Sequence, residues 1–380
     1  MTPTRPLRVA FVSHHAHLRM GGQRSMALLI EHLDRRVIAP LAICPGPGAL
    51  TDHLTALDCP VFHVPLHPIK PRTLPRVWRA ARRIRTLLRE RAIDFLAPDA
   101  PRDALTCGLA KLGTSTKLVW LVRMTARDPL DPILERLADG LIGDSDATRE
   151  RFSRTRRVTA RYRTIVGGAD LRRFRPPADR AALRRELGLP ADRGVLVFVG
   201  QVTRPKGILD IVDALGLLPE PRPSLLIVGT PHPPSIEAEI EARAHASGAQ
   251  DNVRVLGQRE DVYRWMQAAD VLVSGSHQDT EGMSRVLYEG MACGAVPVAT
   301  DIRGNRDAVT PDTGLLVPER SPADLARALT LLLAHPQRLA ELRAAGAQRV
   351  QNAFDIRLHA RRVEAFFLEL VRPCGGAVEQ

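Results

Sequence analysis

The stretch Glu281-Gly-Met-Ser-Arg-Val-Leu-Tyr-Glu289-Gly-Met-Ala-Cys-Gly294-Ala-Val-Pro-Val-Ala-Thr-Asp301 decides the fold of this chain. Its apolar spacing predicts a helix that starts near Ser284 and a strand over 296–299. The same alternation surrounds it, with strands predicted over 195–199, 225–228, 253–256 and 271–274, and helices over 208–218, 236–246, 322–333 and 336–350. Strands that alternate with helices indicate a parallel sheet covered by helices on both faces.

The N-terminal half has the same rhythm. Short apolar runs predict strands over 7–13, 37–44, 61–64, 93–97, 118–122 and 141–142, and helical spacing predicts a helix over 74–91. The segment 151–180 is rich in Arg and contains Pro176-Pro177, and we interpret its end as an interdomain linker. The sequence therefore predicts two doubly wound, Rossmann-like α/β domains facing a cleft, over 1–175 and 176–354. A final helix within 355–380 is placed to cross back to the first domain.

Length and composition set further bounds. The chain has 380 residues, 44% of them apolar, which suits a soluble globular protein of two domains. It has no run of 18 apolar residues, and its first apolar stretch is too short for a signal peptide. Five Cys without a CxxC pair favour a reduced, cytoplasmic compartment.

The net charge of +12 is unevenly distributed. Residues 1–180 hold 32 basic and 17 acidic side chains, a balance of +15, whereas residues 181–380 hold 22 and 25, a balance of −3. Nucleic acid is not the expected partner, because only 4% of residues are aromatic and no binding module is visible. The predicted helix 74–91 carries seven Arg and Trp78. Two interpretations stay open for it: docking on an anionic membrane surface, at the inner face of the plasma membrane, or a solvated helix packed on the sheet.

Three motifs lie where open α/β sheets bind ligands. Gly21-Gly22 follows the first strand, and an ordinary turn explains it as well as a phosphate-binding loop does. Lys206-Gly207 follows the first strand of the second half, and Lys206 is the only Lys in residues 181–380. An ammonium there can pair with a diphosphate, although the segment is not a P-loop. Glu281 and Glu289 can accept hydrogen bonds from sugar or ribose hydroxyls.

Taken in order, these motifs resemble retaining glycosyltransferases of family 4, which have the GT-B fold. The matching set is Gly21-Gly22, Val166-Gly-Gly-Ala-Asp170…Phe174-Arg-Pro176, Lys206-Gly207, Leu256-Gly257, the Glu281/Glu289 pair, Ala292-Cys293-Gly294…Pro297 and Gly314-Leu-Leu-Val-Pro318, together with Ser145-Asp-Ala-Thr-Arg149 as a helix entry. The resemblance covers nearly the whole chain and is strongest over 166–320.

The resemblance implies roles for individual residues. Lys206 would hold the donor diphosphate and stabilise the leaving nucleotide, and Glu281 would contact the transferred sugar. Glu289 would accept hydrogen bonds from the ribose. Further donor contacts are implied for Gly22, Gln258, Arg259, Gly282, Met283 and Ser284. Such enzymes use no metal and no cofactor, because Lys and helix N-termini supply the positive charge that an ion would provide.

Three positions depart from the family pattern. Gln201 stands where an Arg is usual, and Arg204 is the candidate to replace it as a second phosphate contact. The strand 118–122 ends at Arg123 without the usual His, so Arg123 becomes a candidate on the acceptor side. The run His14-His15-Ala-His17 follows the first strand. An ordinary polar loop, acceptor contact through His14 and His15, and a metal site are all open, and we expect no metal because no carboxylate lies nearby in sequence.

The function expected from these features is transfer of a hexose from a nucleotide diphosphate sugar to a glycan or lipid-linked acceptor. The resemblance implies retention of anomeric configuration and a place in polysaccharide, lipopolysaccharide or glycolipid synthesis. Two alternatives remain: a nucleotide-sugar epimerase on the same fold, and a non-catalytic binder of nucleotide sugars or glycans. The sugar, the base and the linkage do not follow from fold resemblance.

Overall fold

The computed structural model describes residues 5–18, 21–152, 161–278 and 282–371. The chain divides into two compact units, Met1–Gly167 with Ile356–Gln380 (unit 1) and Gly168–Asp355 (unit 2). The division lies eight residues before the end predicted at 175 (175 − 167). The reason is local: the backbone N–H of Ala169 donates to the carbonyl of Phe354, 2.7 Å away. Residues from 168 onward therefore pack with unit 2.

Unit 1 is built on a seven-stranded sheet in the order β3-β2-β1-β4-β5-β6-β7, and every paired strand is parallel. Its strands are β1 (Leu7–Val12), β2 (Ile38–Cys44), β3 (Val61–His63), β4 (Phe95–Pro98), β5 (Lys117–Val122), β6 (Gly140–Gly143) and β7 (Tyr162–Thr164). The inner strands are short and almost wholly buried, as parallel strands covered on both faces must be, whereas the edge strands β3 and β7 are only partly buried.

Helices cover both faces of this sheet. They are α1 (Gly21–His32), α2 (Ala49–Ala56), α3 (Leu74–Glu90), α4 (Pro101–Lys111), α5 (Asp131–Leu137), α6 (Asp146–Glu150) and, at the end of the chain, α15 (Ile356–Val371). The final helix belongs to unit 1. Phe367 packs edge-on against Phe95, with ring centroids 4.9 Å apart, and Glu364 accepts a hydrogen bond from the backbone of Asp34 at 2.7 Å.

Helix α3 separates its side chains cleanly. It buries an apolar stripe that includes Val77, Ile84 and Leu88 against the core. Its opposite face exposes Leu74 (52%) and Trp78 (51%). The exposed Arg side chains of α3 are Arg76, Arg79, Arg82, Arg83 and Arg89. The buried stripe confirms a helix packed on the sheet, and docking of the exposed face on a membrane stays a prediction. None of the helices among the described residues has the length and apolar run needed to cross a membrane.

Unit 2 repeats the design on a six-stranded parallel sheet in the order β10-β9-β8-β11-β12-β13. Its strands are β8 (Val195–Val199), β9 (Ser224–Val228), β10 (Val253–Gly257), β11 (Val271–Ser274), β12 (Val296–Thr300) and β13 (Leu315–Val317). Its helices are α7 (Arg180–Glu186), α8 (Ile208–Gly216), α9 (Ile236–Ala246), α10 (Val262–Ala268), α11 (Arg285–Cys293), α12 (Arg303–Arg306), α13 (Pro322–Ala334) and α14 (Pro336–Ala353). The two doubly wound α/β units are as predicted.

The sequence missed several short elements. The Arg-rich segment 151–180, for which no strand was predicted, contains β7, an edge strand of only three residues. Helices α5 and α10 span seven residues each, fewer than periodicity needs to be recognised. Helix α4 was missed although it is longer, because it combines a Pro start with an almost uniform burial of small residues.

Candidate functional site

The order of strands in unit 2 marks where a ligand is expected. Strand β8 lies between β9 and β11, so the connections leaving β8 and β11 turn away from each other at the carboxyl edge of the sheet. Such a reversal opens the crevice in which doubly wound sheets bind their ligands. Lys206 follows β8 in a short 3-10 turn, Arg204–Lys206, and Gly282, Met283 and Ser284 follow β11. Both predicted motifs thus lie at the reversal point.

A contact between two glycines fixes the turn that carries Lys206. Gly207 has a φ of 67°, in the left-handed region, and begins α8. A Cβ on Gly207 would lie 1.9 Å from the carbonyl oxygen of Gly275, which follows β11. Only glycine meets both requirements, the conformation and the close approach. The glycine of the Lys206-Gly207 pair is therefore required for bringing the two loops together.

Hydrogen bonds reinforce the same junction. The backbone N–H of His277 donates to the carbonyl of Pro205 at 2.9 Å, and His277 Nε2 lies 3.0 Å from Asp210 Oδ2 on α8. The hydroxyl of Thr300 donates to the carbonyl of Ser276 at 2.5 Å. The loop after β11 is thus tied both to the Lys206 turn and to the end of β12.

Lys206 is largely enclosed by this junction. Burial lowers the pKa of its ammonium from 10.5 to about 8, because the charged form loses hydration there. A lysine held at such a site retains its charge near neutral pH and is poised to pair with an anion. Perturbed titration at the ligand-binding edge of a sheet is typical of a functional group.

The segment before α11 offers backbone N–H groups, rather than side chains, to a ligand. Gly282, Met283 and Ser284 are buried, and Ser284 caps the helix without a side-chain hydrogen bond to it. The first backbone N–H groups of a helix have no partner within the helix, so this end of α11 favours an anion or a sugar oxygen. Glu281, predicted to contact the sugar, lies outside the described residues.

Glu289 lies inside α11, as predicted, and is buried (6% exposed). Arg285, one turn earlier, donates to Glu289 Oε1 at 2.6 Å. The carboxylate therefore has a charged partner within its own helix. This pairing holds the side chain in one orientation and leaves Oε2 as its second acceptor atom.

Three other predicted donor contacts are exposed at the same edge. Thr230 donates to Gln258 Oε1 at 3.4 Å, and Arg259 pairs with Asp261 at 2.9 Å. Arg204, the candidate second phosphate contact, forms an ion pair with Glu239 on α9 at 2.7 Å and is 64% exposed. Its guanidinium is directed to a carboxylate of the protein, so nothing in this geometry assigns it the role left open by Gln201.

Unit 1 carries a second polar cluster at its own reversal point, between β1 and β4. His14 follows β1, Asp99 follows β4 directly, and Asp103 lies in the first turn of α4. His14 Nδ1 is 2.6 Å from Asp103 Oδ2. The imidazole of His15 stacks beside that of His14, with ring centroids 4.1 Å apart.

Burial perturbs the carboxyl groups of this cluster. It raises the pKa of Asp99 to about 6, an effect that the nearby charge of Arg123 opposes. It raises the pKa of Asp103 to about 7, against the charges of Arg102 and His15. Burial also lowers the pKa of His15, and the charge of His17 adds to that effect. Arg123 and His15, both predicted on the acceptor side, thus belong to one electrostatic cluster with His14.

Gly22 borders the same cluster. The sequence predicts Gly22 in a loop ahead of the first helix. In the structure helix α1 begins at Gly21, so Gly22 lies within its first turn. A Cβ on Gly22 would lie 3.2 Å from Asp99 Oδ2, which brings the backbone of α1 close to that carboxylate.

The metal-site alternative gains geometry that the sequence did not reveal. One ligand atom each from His14, Asp99 and Asp103 lies within 4.8 Å of the others, a set of one imidazole and two carboxylates. Two guanidinium groups, of Arg102 and Arg123, already act on the two carboxylates and offset their charge. The donor set therefore has the composition of a cation site but not the excess negative charge that would favour one.

Sequence reasoning missed Asp99, Asp103 and Arg285. Asp103 is separated from His14 by 89 residues, and only the pairing of β1 with β4 brings them together. A signal was present for Asp99, which lies two residues after the strand predicted over 93–97. Arg285 precedes Glu289 by four residues, the spacing at which opposite charges meet on a helix.

Residues 179–349 match the sequence model of the family described as glycosyl transferases group 1. A D-inositol 3-phosphate glycosyltransferase of Xylanimonas cellulosilytica is 37% identical over 202 residues, 51% of this chain and 48% of that protein. The chain thus spans about half the length of this relative. A lipopolysaccharide core biosynthesis mannosyltransferase of Rhizobium meliloti is 28% identical over 364 residues, 93% of this chain and 95% of that protein.

Solved structures match the fold of the whole chain. A glycosyltransferase of Rickettsia africae superposes with a TM-score of 0.86 at 17% identity, covering 97% of this chain and 99% of that one. The Anabaena protein HepE, in complex with UDP-glucose, superposes with a TM-score of 0.80 at 20% identity, covering 96% and 99%. At such identities the likeness concerns the fold alone. The chain therefore has the two-domain GT-B fold of these glycosyltransferases, and its residues 179–349 match the glycosyl transferases group 1 family.

Proposed function

We propose that this protein transfers a hexose from a nucleoside diphosphate sugar to a hydroxyl of a glycan or lipid-linked acceptor. The observation that carries the proposal is Lys206, held at the reversal point of unit 2 by the contact between Gly207 and Gly275. As the glycosidic bond breaks, negative charge grows on the leaving diphosphate. A fixed ammonium and the N-terminus of α11 are suited to stabilise that charge.

The donor side of the proposal includes further residues. Glu289, oriented by Arg285, accepts hydrogen bonds from ribose hydroxyls, and Gln258 and Arg259 contact the nucleobase. The backbone of Gly282, Met283 and Ser284 binds the phosphate or the sugar, and Glu281 contacts the sugar hydroxyls. Because Lys206 and the helix N-terminus supply positive charge, transfer proceeds without a metal ion or cofactor. The resemblance further supports retention of the anomeric configuration.

The acceptor side rests on unit 1 and on the relatives. His14, His15 and Arg123 contact the acceptor, and Gly22 borders the same edge. The Rhizobium relative, which matches 93% of this chain, is a lipopolysaccharide core biosynthesis mannosyltransferase by name. This supports a place in lipopolysaccharide or other cell-surface glycan synthesis. The exposed Arg and Trp78 face of α3 supports docking on the inner, anionic face of the plasma membrane, where lipid-linked acceptors lie.

A panel of UDP-, GDP- and ADP-sugars, assayed with EDTA present, tests the donor side. We expect one donor class to release its nucleoside diphosphate with formation of a glycosylated product in the mass spectrum. Lys206→Ala should lower that turnover by roughly 100- to 1000-fold, since one donor to the developing charge contributes about 2.7–4 kcal/mol. Lys70→Ala, which removes an exposed lysine of unit 1, is the matched control and should leave turnover unchanged.

Each alternative gives a different result in this panel. Binding of a nucleotide sugar without turnover would identify a non-catalytic binder. Conversion of the donor to its epimer, with the nucleotide still attached, would identify an epimerase. Full turnover by Lys206→Ala, or turnover abolished by EDTA and restored by Mn²⁺, would contradict the proposed chemistry of the leaving group.

A further inference from the structure

Three arginines of unit 2 surround a single carboxylate at the edge of the sheet opposite to Lys206. They are Arg180 and Arg184 on α7 and Arg343 on α14, and the carboxylate is that of Asp270, which directly precedes β11. Arg184 Nη2 lies 2.6 Å from Asp270 Oδ2. Arg343 Nη2 and Arg180 Nη1 are farther from Oδ1 of the same carboxylate, at 3.6 and 3.9 Å. We call these four residues the arginine cluster.

The carboxylate does not satisfy all three guanidinium groups. Arg180 Nη2 and Arg343 Nε both donate to the backbone carbonyl of Gly294, at 3.0 and 2.7 Å. Arg343 Nη2 is buried and makes no hydrogen bond to any residue that the structure describes. Because a buried charged donor without an acceptor is costly, this atom favours an anionic ligand.

Positive charge is in excess in the arginine cluster, since three guanidinium groups face one carboxylate. The backbone carbonyls that accept from these arginines lie at the C-terminal ends of α10 and α11. Each helix C-terminus contributes about half a negative charge, so the two ends together offset roughly one positive charge. A net positive charge therefore remains after the carboxylate and both helix ends are counted.

Burial makes this excess charge unfavourable. Lost hydration, with the neighbouring charge of Arg343, lowers the pKa of the Arg180 guanidinium from 12.5 to about 10. Burial also lowers the pKa of Arg343, and the charge of Arg184 adds to that effect. The negative charge of Asp270 opposes both shifts without cancelling them. An anion at the cluster would supply the charge that the surrounding side chains do not.

The cluster is separate from the edge that carries the donor motifs. Asp270 Oδ2 accepts from the backbone N–H of Val195 at 3.0 Å, so the carboxylate lies where β8 and β11 begin. Lys206 follows the other end of β8, a strand of five residues that spans roughly 16 Å. Helix α11 begins after β11 at the donor edge and ends beside the cluster. A ligand of the cluster is therefore not the sugar donor.

We infer that the arginine cluster binds a phosphate group, either inorganic phosphate or a phosphate ester. Guanidinium groups present paired donors whose geometry matches phosphate oxygens. The three arginine side chains retain 14% to 30% of their exposure, so the cluster borders on solvent. Arg343 is the most exposed of them and can turn its guanidinium to the anion. The site goes beyond the proposed transferase function and does not depend on it.

Isothermal titration calorimetry of the full chain with inorganic phosphate tests this inference. The titration uses Lys206→Ala, so that affinity of the donor edge for phosphate does not contribute. We expect one site per chain, for which sulfate competes and chloride does not. Adding Arg343→Gln should weaken binding by roughly 10- to 100-fold, the value of a hydrogen bond to a charged group. Arg343→Lys keeps the charge without the paired donors and should give an intermediate affinity.

Arg338→Gln is the matched control, because Arg338 lies on the same helix, pairs with Glu341 at 3.1 Å and has a side chain that is 49% exposed. It should leave phosphate binding unchanged. A parallel titration with methyl phosphate distinguishes the two sources of the phosphate group. Tighter binding of methyl phosphate that still requires Arg343 supports the site and identifies an ester as its ligand, and tighter binding of inorganic phosphate identifies the free anion.

Melting temperatures separate binding from folding. Phosphate should raise the melting temperature of Lys206→Ala but not that of the variant that also carries Arg343→Gln. Without phosphate, Arg343→Gln should be at least as stable as its parent, because it removes one excess charge. A melting temperature lowered equally with and without phosphate, at unchanged phosphate affinity, would show that Arg343 only caps α11.

The remaining outcomes are equally direct. Absence of phosphate binding, or an equal loss of affinity in Arg338→Gln, would contradict the site. The titration requires no turnover, so a chain that transfers no sugar from any donor would contradict the transferase function and leave this result unaffected.

Discussion

Lys206 carries its charge in a place from which water is largely excluded. Its pKa is about 8 in the folded protein and 10.5 in a solvated chain. Below pH 8 the ammonium is charged in both states, and the folded protein bears the full cost of its lost hydration. Between pH 8 and 10.5 the unfolded chain binds the extra proton, so stability recovers as pH rises.

Replacing Lys206 should therefore stabilise the fold. We expect Lys206→Met to raise the free energy of unfolding at pH 7 by about 2 to 3 kcal/mol. Each unit by which burial lowers the pKa corresponds to about 1.4 kcal/mol of lost hydration, and the substitution removes that cost. The gain should shrink as pH approaches 10.5. Urea unfolding at pH 7 and pH 10 measures it, with Lys70→Met as the exposed control. A variant less stable than wild type at pH 7 would contradict the burial cost.

Individual site residues were predictable to different degrees. Lys206 could be predicted from sequence as a candidate because it is the only Lys in residues 181–380 and precedes a Gly after a predicted strand. The spacing of Glu289 placed it correctly in a helix, but Arg285 beside it was overlooked. Asp103 could not be predicted as a site residue, because it lies 89 residues from His14 in the sequence and only strand pairing brings the two together. Single-sequence patterns report local geometry, and this contact is not local.

The element that most constrains the site is the turn between β8 and α8. Two independent features of this turn require glycine at position 207. One is its left-handed backbone conformation, and the other is its close approach to the carbonyl of Gly275. Sequence predicted a helix after Gly207 but not this contact, because the partner lies 68 residues away (275 − 207). Strands ending in Gly were predicted well across unit 2, whereas helices of seven residues were missed.

Gly207→Ala should disturb this turn more than conformational strain alone explains. A left-handed alanine costs roughly 1–2 kcal/mol, and the collision with the Gly275 carbonyl adds to it. Gly188→Ala is the matched control, since Gly188 has a φ of 63° with nothing within 4 Å of its added Cβ. Urea unfolding should show a larger loss for Gly207→Ala, together with weaker nucleotide binding. Equal losses in both variants would show that the contact with Gly275 relaxes freely.

At the scale of the whole molecule, the charge asymmetry seen in the sequence has a structural counterpart in α3. Its exposed face carries five Arg around Trp78, and Arg82 lies 5.9 Å from the Trp78 ring. The stripe beneath is buried in the core of unit 1. Basic residues with an aromatic side chain between them are typical of surfaces that meet anionic lipid headgroups.

Co-sedimentation with vesicles tests this surface. We expect more protein to pellet with phosphatidylglycerol-containing vesicles than with phosphatidylcholine alone, and high salt to remove the difference. Trp78→Ser should reduce the anionic fraction. Leu217→Ser, which removes an equally exposed apolar side chain from unit 2 (61% exposed), should not. Equal recovery with both vesicle types at low salt would exclude the membrane proposal.

The chain leaves unit 1 and returns to it through neighbouring residues. Ala169 and Asp355 pair as an isolated bridge, so the two ends of unit 2 lie side by side. In the order of the sequence, unit 2 lies within unit 1, and the chain enters and leaves it at one place. A recombination event could replace residues 168–355 as a block if the two ends of the new unit also lay side by side. A unit of this kind could thus be exchanged between relatives while unit 1 kept its own sheet and its last helix, α15.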